Sequence, residues 1–249
     1  MRIFGAMAPM SSLTTNVYQS IRADILACRI PPGERIRINN KCDELGVSLG
    51  AVREALSRLT SEGLVVSEPQ RGFKAAPISV QELLDLTEVR SEIEVMCLRR
   101  AFAAGGVEWE SRLLAAEHRL SRTPMHAPGE SQSVSDEWAA VHTEFHEALV
   151  SACDSPTLLQ IRSQLYAKAE RYRRLSVPLS RRDRDLVGEH EALTTAVLNH
   201  DVEAAVETIQ MHIRETTQRL IAGLNNESAL KTRSVRAVRS HALKVSGAR

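Results

Sequence analysis

The 249-residue chain contains no run of about 18 apolar residues, which a helix needs to cross a bilayer. Its opening, MRIFGAMAPM, is too short and too broken for a secretory signal, so the expectation is a cytoplasmic protein with no membrane partner. Cysteine is scarce: Cys28, Cys42, Cys97 and Cys153 are scattered, with no C-x-x-C spacing. That argues against a zinc ribbon or a disulfide scaffold and suits reduced thiols. Beyond residue 78 there is no strand signal, and no Gly-rich phosphate loop appears there. Rossmann-type and P-loop enzymes are therefore disfavoured.

Hydrophobic residues make up 43% of the chain and charged residues 25%, the balance of a soluble globular protein with room for one large domain or two ordinary ones. The net charge of +1 hides an asymmetry. Residues 1–77 are net +3, residues 78–230 net −8, and residues 231–249 net +6 with no acid among them. Basic ends around an acidic middle point to an anionic partner for the ends; simple solvation is the bland alternative.

In residues 13–29 the stripe Val17, Ile21, Ile25 and Cys28 predicts a helix, which IPPG at 30–33 stops. A short helix near 39–45 ends at Gly46, and Ser48 can cap the next, SLGAVREALSRLTSEG, with Val52, Ala55, Leu56 and Leu59 facing inward. Two helices joined by a tight turn form a helix-turn-helix. Leu64–Glu68, a turn at Pro69–Gly72 and Phe73–Ala76 then read as a hairpin with a basic tip. Three helices and a hairpin in this order make a winged helix.

The remainder reads as helices near 79–104, 107–121, 133–152, 156–176, 180–199 and 201–224, with a loop at 123–133. SVQE at 79–82 is a capping box, and Pro156, Pro178 and Asp201 mark helix starts. Leu83, Leu86, Val89, Ile93 and Leu98 are the expected inward stripe of the first of these helices. The expected fold class is mainly α: an N-terminal winged helix-turn-helix with a small β-hairpin wing, and a C-terminal antiparallel bundle of six or seven helices. The domains expected are 11–77, 78–224 and a flexible basic tail, 225–249.

Within the bundle, VHTEFHEALV puts His142 and His146 one turn apart on one helix face. By spacing alone this is either half of a metal site or two ordinary histidines. It is not a zincin, which needs H-E-x-x-H with the glutamate beside the first histidine; Glu144 falls on another face.

VREALSRLTSEGLV (52–65), preceded by ELGVS and followed by RGF, resembles the DNA-binding domain of GntR-type bacterial transcriptional regulators over residues 13–77. DEWAAVHTEFHEALVSACDS, GEHEAL and DVEAAVETIQMHI resemble the FCD effector domain of the FadR subfamily, over residues 79 to about 222. The resemblance implies that Ser48, Leu49, Gly50 and Arg53 meet DNA from the recognition helix, and that Arg71 and Gly72 carry the wing tip into the minor groove. Arginine offers a bidentate fork to guanine, and a helix N-terminus offers free N–H groups to phosphate. It implies further that His146, His190 and His212 hold a divalent metal, Zn²⁺ or Ni²⁺, and that Arg90 lines the cavity for a small carboxylate effector. Short dicarboxylates such as glutarate are the nearest class.

Three positions depart from the family pattern. Leu49 stands where an arginine is common, Lys41 where a leucine is common, and His142 where metal-binding members carry aspartate. His142 is therefore expected as a possible fourth ligand, while His126 and His200 read as surface. The implied function is a homodimeric DNA-binding regulator, repressor or activator, and not an enzyme, acting on an inverted-repeat operator. A metal-dependent hydrolase and an effector-independent architectural DNA-binding protein are the alternatives.

Overall fold

The computed structural model describes residues 13–126, 134–176 and 184–246. They fall into two compact units that divide between Ile78 and Ser79.

The first unit runs α1 (Leu13–Leu26), β1 (Arg35–Ile36), α2 (Ile38–Leu45), α3 (Leu49–Ser61), β2 (Val65–Glu68) and β3 (Gly72–Ala75). Val17, Ile21 and Ile25 of α1 pack against Val52, Ala55, Leu56 and Leu59 of α3 in one buried cluster. The expected inward face of α3 is thus the observed one. Cys28 is not part of the stripe: it takes φ 56° beyond the end of α1 and is only half-buried. Gly46 closes α2 in the left-handed region at φ 64°, where a side chain would be strained. The wing is larger than the expected hairpin. Its sheet has three antiparallel strands in the order β1-β3-β2, with Arg35 opposite Lys74 and Ile36 opposite Phe73. A two-residue strand shows no alternation, so β1 left no trace in the sequence pattern.

Among the described residues, the second unit holds six helices: α4 (Val80–Ala104), α5 (Val107–Arg122), α6 (Asp136–Leu149), α7 (Pro156–Ser176), α8 (Leu186–Leu198) and α9 (Val202–Ser246). Ser79 caps α4 by accepting from the Glu82 amide at 3.0 Å. The other half of the expected capping box is rerouted: the Tyr172 hydroxyl accepts from the Ser79 N–H and donates to Glu82. The expected start at Pro178 and most of the 123–133 loop lie outside the described residues; α8 begins behind Asp185, whose carboxylate accepts from the Gly188 amide at 2.9 Å.

Two expectations about the bundle are corrected. The inward stripe of α4 is not wholly apolar. Arg90, Ser91 and Glu94 are buried between Leu83, Leu86, Cys97 and Leu98, whereas Val89 is 41% exposed. The chain also does not leave helix at residue 224; α9 continues to Ser246. Residues 224–246 contain neither glycine nor proline and are rich in Ala, Leu, Lys and Arg, which favour helix with or without an apolar face.

Candidate metal centre and DNA-binding surface

α6 supplies His142 and His146, α8 supplies His190 and α9 supplies His212. One nitrogen from each lies within 4.8 Å of the others, and all four rings are buried. Ring centroids are 4.5 Å apart for His142–His146 and 5.1 Å for His190–His212. Nitrogens bound to one tetrahedral zinc ion are about 3.4 Å apart, so an inward movement of about an ångström would bring the set onto one ion. Such proximity is repulsive for imidazolium rings, and burial penalises their charge as well. Burial and neighbouring cations hold His142 and His146 well below the ordinary imidazole value. Burial brings His190 down to about 3, and also lowers His212 despite the opposing pull of Glu189. Four neutral imidazoles are the protonation state that metal ligation requires.

Their hydrogen bonds differ. His146 is 0% exposed, and neither of its ring nitrogens has a hydrogen-bond partner; Nε2 of His190 is in the same condition. Stranding a buried polar atom costs roughly 1–3 kcal/mol, a cost that ligation would remove. His212 Nδ1 donates to Glu189 at 2.7 Å, leaving Nε2 available in the carboxylate–histidine–metal pattern. Arg184 holds that carboxylate through two bonds of 2.7 and 2.6 Å and reaches the His212 carbonyl at 3.0 Å. Burial would raise Glu189, but its bonds to His212 and Arg184 outweigh that and bring it down to about 2. On His142, Nδ1 faces the Tyr166 hydroxyl at 3.1 Å and Arg173 at 2.8 Å.

Beside His212 a small cavity of about 20 Å³, room for about one water, opens between α4, α7 and α9, lined by Arg90, Thr87, Tyr166, Arg173, Thr216 and Thr217 among others. Arg90 is 8% exposed, its guanidinium sits 4.9 Å over the Tyr166 ring, and its Nε has no hydrogen-bond partner. Burial lowers its affinity for the proton, a penalty that a carboxylate paired with the guanidinium would offset. Glu94, one turn along the same helix, is bonded not to Arg90 but to Arg162. Glu94 is fully buried and accepts from Arg162 at 2.9 and 2.7 Å, and Arg162 also donates to the His146 carbonyl at 2.6 Å. Glu144, the only carboxylate within HTEFH, points away and pairs with Arg119. His200 is exposed and His126 half-buried, and neither joins the cluster.

Tyr166, Arg173, Arg162, Glu189 and Arg184 escaped the sequence reading. A signal was present: Tyr166, Glu170 and Arg173 in QLYAKAERYRRL stand at i, i+4 and i+7, a polar stripe on a bundle helix.

On the first unit, Ser48 caps α3 by accepting from the Ala51 amide at 3.3 Å. Leu49 (47% exposed), Gly50 and Arg53 stand on the solvent side of the same helix. Arg71 and Gly72 are exposed at the tip of the wing, where Gly72 takes φ 87° and Gln70 φ 61°. The Arg71 carbonyl accepts from Arg35 of β1, which ties the tip to the third strand. Lys41 is bound inward, to Asp24 at 2.8 Å and to Glu44 at 2.8 Å. Its side chain is mostly buried, and the ion pair with Asp24 ties α2 to α1.

The gntR family of bacterial regulatory proteins matches residues 13–74, and the FCD domain matches residues 85–215. BphR of Paraburkholderia xenovorans, an HTH-type transcriptional regulator, is 37% identical over 84% of this chain and 86% of its own. GlaR of Escherichia coli, an HTH-type transcriptional repressor, is 36% identical over 82% of this chain and 94% of its own. Among solved structures, McbR of Escherichia coli superposes with a TM-score of 0.69 at 22% identity, covering 88% of this chain and 100% of that one. A GntR regulator from a Rhodococcus species gives 0.66 at 21%, covering 85% and 98%. With its winged helix-turn-helix followed by an all-α FCD effector domain, the chain belongs to the GntR family of DNA-binding transcriptional regulators.

Proposed function

We propose that this regulator binds its operator as a homodimer and that a small carboxylate, held beside a divalent metal in the FCD bundle, modulates that binding. The observation that carries the metal reading is His146: a fully buried imidazole with both nitrogens unbonded, among three more neutral imidazoles. His146, His190 and His212 are the ligands, and Zn²⁺ or Ni²⁺ suits nitrogen donors of this kind. Bound there, the ion supplies a positive centre with open positions for an anionic oxygen. Arg90 supplies the second contact, its guanidinium fork taking the other end or the other oxygen of the carboxylate. A dicarboxylate fits two separated cationic groups better than a monocarboxylate does.

Ser48, Leu49, Gly50 and Arg53 face the major groove, with Arg71 and Gly72 at the minor groove. One helix-turn-helix covers only a few base pairs, so a two-fold dimer on an inverted repeat doubles the site. GlaR is a repressor, and the same sense of control is adopted here. A ligand that binds one arrangement of the bundle better than another shifts the population that binds DNA.

Elemental analysis of untagged protein, alongside His212→Ala, tests the metal. Stoichiometric metal in the first and its loss in the second are expected. If the untagged protein carries none and takes up none from excess Zn²⁺ or Ni²⁺, the histidines only line an organic pocket. A thermal-shift series of short mono- and dicarboxylates on the loaded protein then tests the effector class, with stabilisation that Arg90→Met abolishes as the expected result.

A further inference from the structure

We propose that Arg173 decides whether His142 can join the metal centre, and that an anionic effector brings His142 in by drawing Arg173 away. This rests on the metal reading above and extends it to a residue that reading leaves undecided.

A guanidinium has N–H donors and no acceptor. Arg173 Nη1 lies 2.8 Å from His142 Nδ1, so Nδ1 is the acceptor in that contact. A neutral imidazole carries one proton, which must then sit on Nε2. Ligation needs a nitrogen lone pair. In this arrangement the Nδ1 lone pair is spent on Arg173 and Nε2 is protonated, so the ring has nothing to offer an ion. His146 and His190 carry no such restraint on the nitrogens left unbonded, and the bond from His212 to Glu189 fixes the opposite, ligating tautomer. The structure therefore contains three histidines ready to ligate and one held out.

The release mechanism is built from the same side chains. The Tyr166 hydroxyl lies 3.1 Å from His142 Nδ1 and can either donate or accept. With Arg173 withdrawn, the imidazole proton moves from Nε2 to Nδ1, Nδ1–H donates to Tyr166, and the Nε2 lone pair is free. The proton is relocated within the ring; none is gained or lost. Arg173 lines the same cavity as Arg90, and its side chain also pairs with Glu170 of its own helix. A carboxylate entering that cavity offers two charged oxygens to the fork, a stronger partner than one neutral nitrogen. Effector and fourth ligand are then linked, and the linkage is reciprocal: an ion that engages His142 raises effector affinity by the same factor.

The residue type matters. A carboxylate at position 142 has lone pairs enough to accept from an arginine and ligate at once; an imidazole has one and cannot do both. Histidine there turns a shareable ligand into an exclusive one.

The test uses full-length, metal-stripped protein and Co²⁺, with affinity from chelator competition and coordination from visible absorption. Six proteins are compared: wild type, Arg173→Met, His142→Ala, His142→Asp, and each His142 variant combined with Arg173→Met. Arg173→Met should bind Co²⁺ on the order of tenfold more tightly than wild type. His142→Ala should be nearly silent alone and should remove that gain in the double variant. In His142→Asp, adding Arg173→Met should bring no gain. Nitrogen-15 NMR of the metal-free wild type supplies a readout needing neither variant nor metal: His142 should be the Nε2–H tautomer. Equal or weaker Co²⁺ binding by Arg173→Met overturns the proposal and leaves the metal centre standing, as does an Nδ1–H tautomer at His142 in the wild type. Wild-type protein that takes up no Co²⁺ overturns the metal centre and this proposal together.

Discussion

Glu189 Oε2 lies 2.7 Å from Nδ1 of His212, and that hydrogen bond decides which nitrogen of the ring is left for an ion. The carboxylate is itself held by both arms of Arg184. Glu189→Gln keeps the size but loses the charge that fixes the tautomer and raises ligand basicity. Zn²⁺ affinity should fall on the order of tenfold or more, the usual cost of losing such a partner, with helicity unchanged. Chelator competition measures it; an unaltered dissociation constant would remove Glu189 from the centre.

Arg162 and Glu94 form a buried ion pair of 2.7 Å directly behind His146. Removing one partner strands the other charge, and Arg162→Met also takes the donor from the His146 carbonyl. A loss of about 3–5 kcal/mol in urea unfolding is expected. Adding Glu94→Gln should recover a good part of it, because the stranded charge is then gone. A single variant as stable as wild type contradicts this reading.

The contrast between these residues and the histidines explains what the sequence disclosed. Val52, Ala55, Leu56 and Leu59 are apolar at helical spacing, so the inward face of α3 was legible from period alone, and Gly46 marked the turn before it. His142 and His146 announced themselves by spacing, but His190 and His212 became partners only through resemblance, since nothing local links residues from different helices. Arg90 and Glu94 occupy inward positions on α4 that hydrophobic periodicity assigns to Val89 and Ile93. A buried charge is invisible to a pattern that counts only apolar residues. Tyr166 and Arg173 left only a polar stripe on α7, which a count of apolar residues passes over, and β1 left no trace because two residues have no period.

Arg53 is exposed on α3, two turns N-terminal to its end and behind the Ser48 cap. Arg53→Ala should cost on the order of 1–3 kcal/mol of specific binding and relax base preference at its position. Gel-shift titration on an operator selected from random DNA is the check, and affinity equal to wild type rules Arg53 out of base reading.

Residues 231–249 carry six Lys and Arg and no acid. Truncation after Leu230 should weaken binding to all DNA sequences alike and flatten the dependence of log K on log[salt]. Identical slopes for the full and truncated chains would show that these cations do not meet phosphate.

The four histidines also set the response to acid. His190 is brought down to about 3 from 6.5 by burial, and His142, His146 and His212 move in the same direction. A lowered imidazole value means the unfolded chain takes up protons first. The stability these residues contribute is therefore complete above pH 6.5 and is lost as pH falls below it, continuing for His190 toward about 3. Glu189, held at about 2 against an ordinary 4.5, adds a second loss that begins only below pH 4.5. Between these values the histidines act alone, each costing up to about 1.4 kcal/mol per pH unit while it stays neutral in the fold. In urea unfolding of the metal-free protein, the midpoint should hold steady from pH 8 to 7 and drop steeply from 6.5 to 5. His190→Gln should make that drop shallower, since one fewer proton separates folded from unfolded. Bound metal should raise the midpoint while leaving that slope nearly unchanged, because the buried rings already refuse protons without it. An unfolding midpoint in the metal-free protein that is the same at pH 5 and pH 7.5 would mean the rings take up protons without penalty, and the cluster would not be the dry, neutral set from which the metal centre is built.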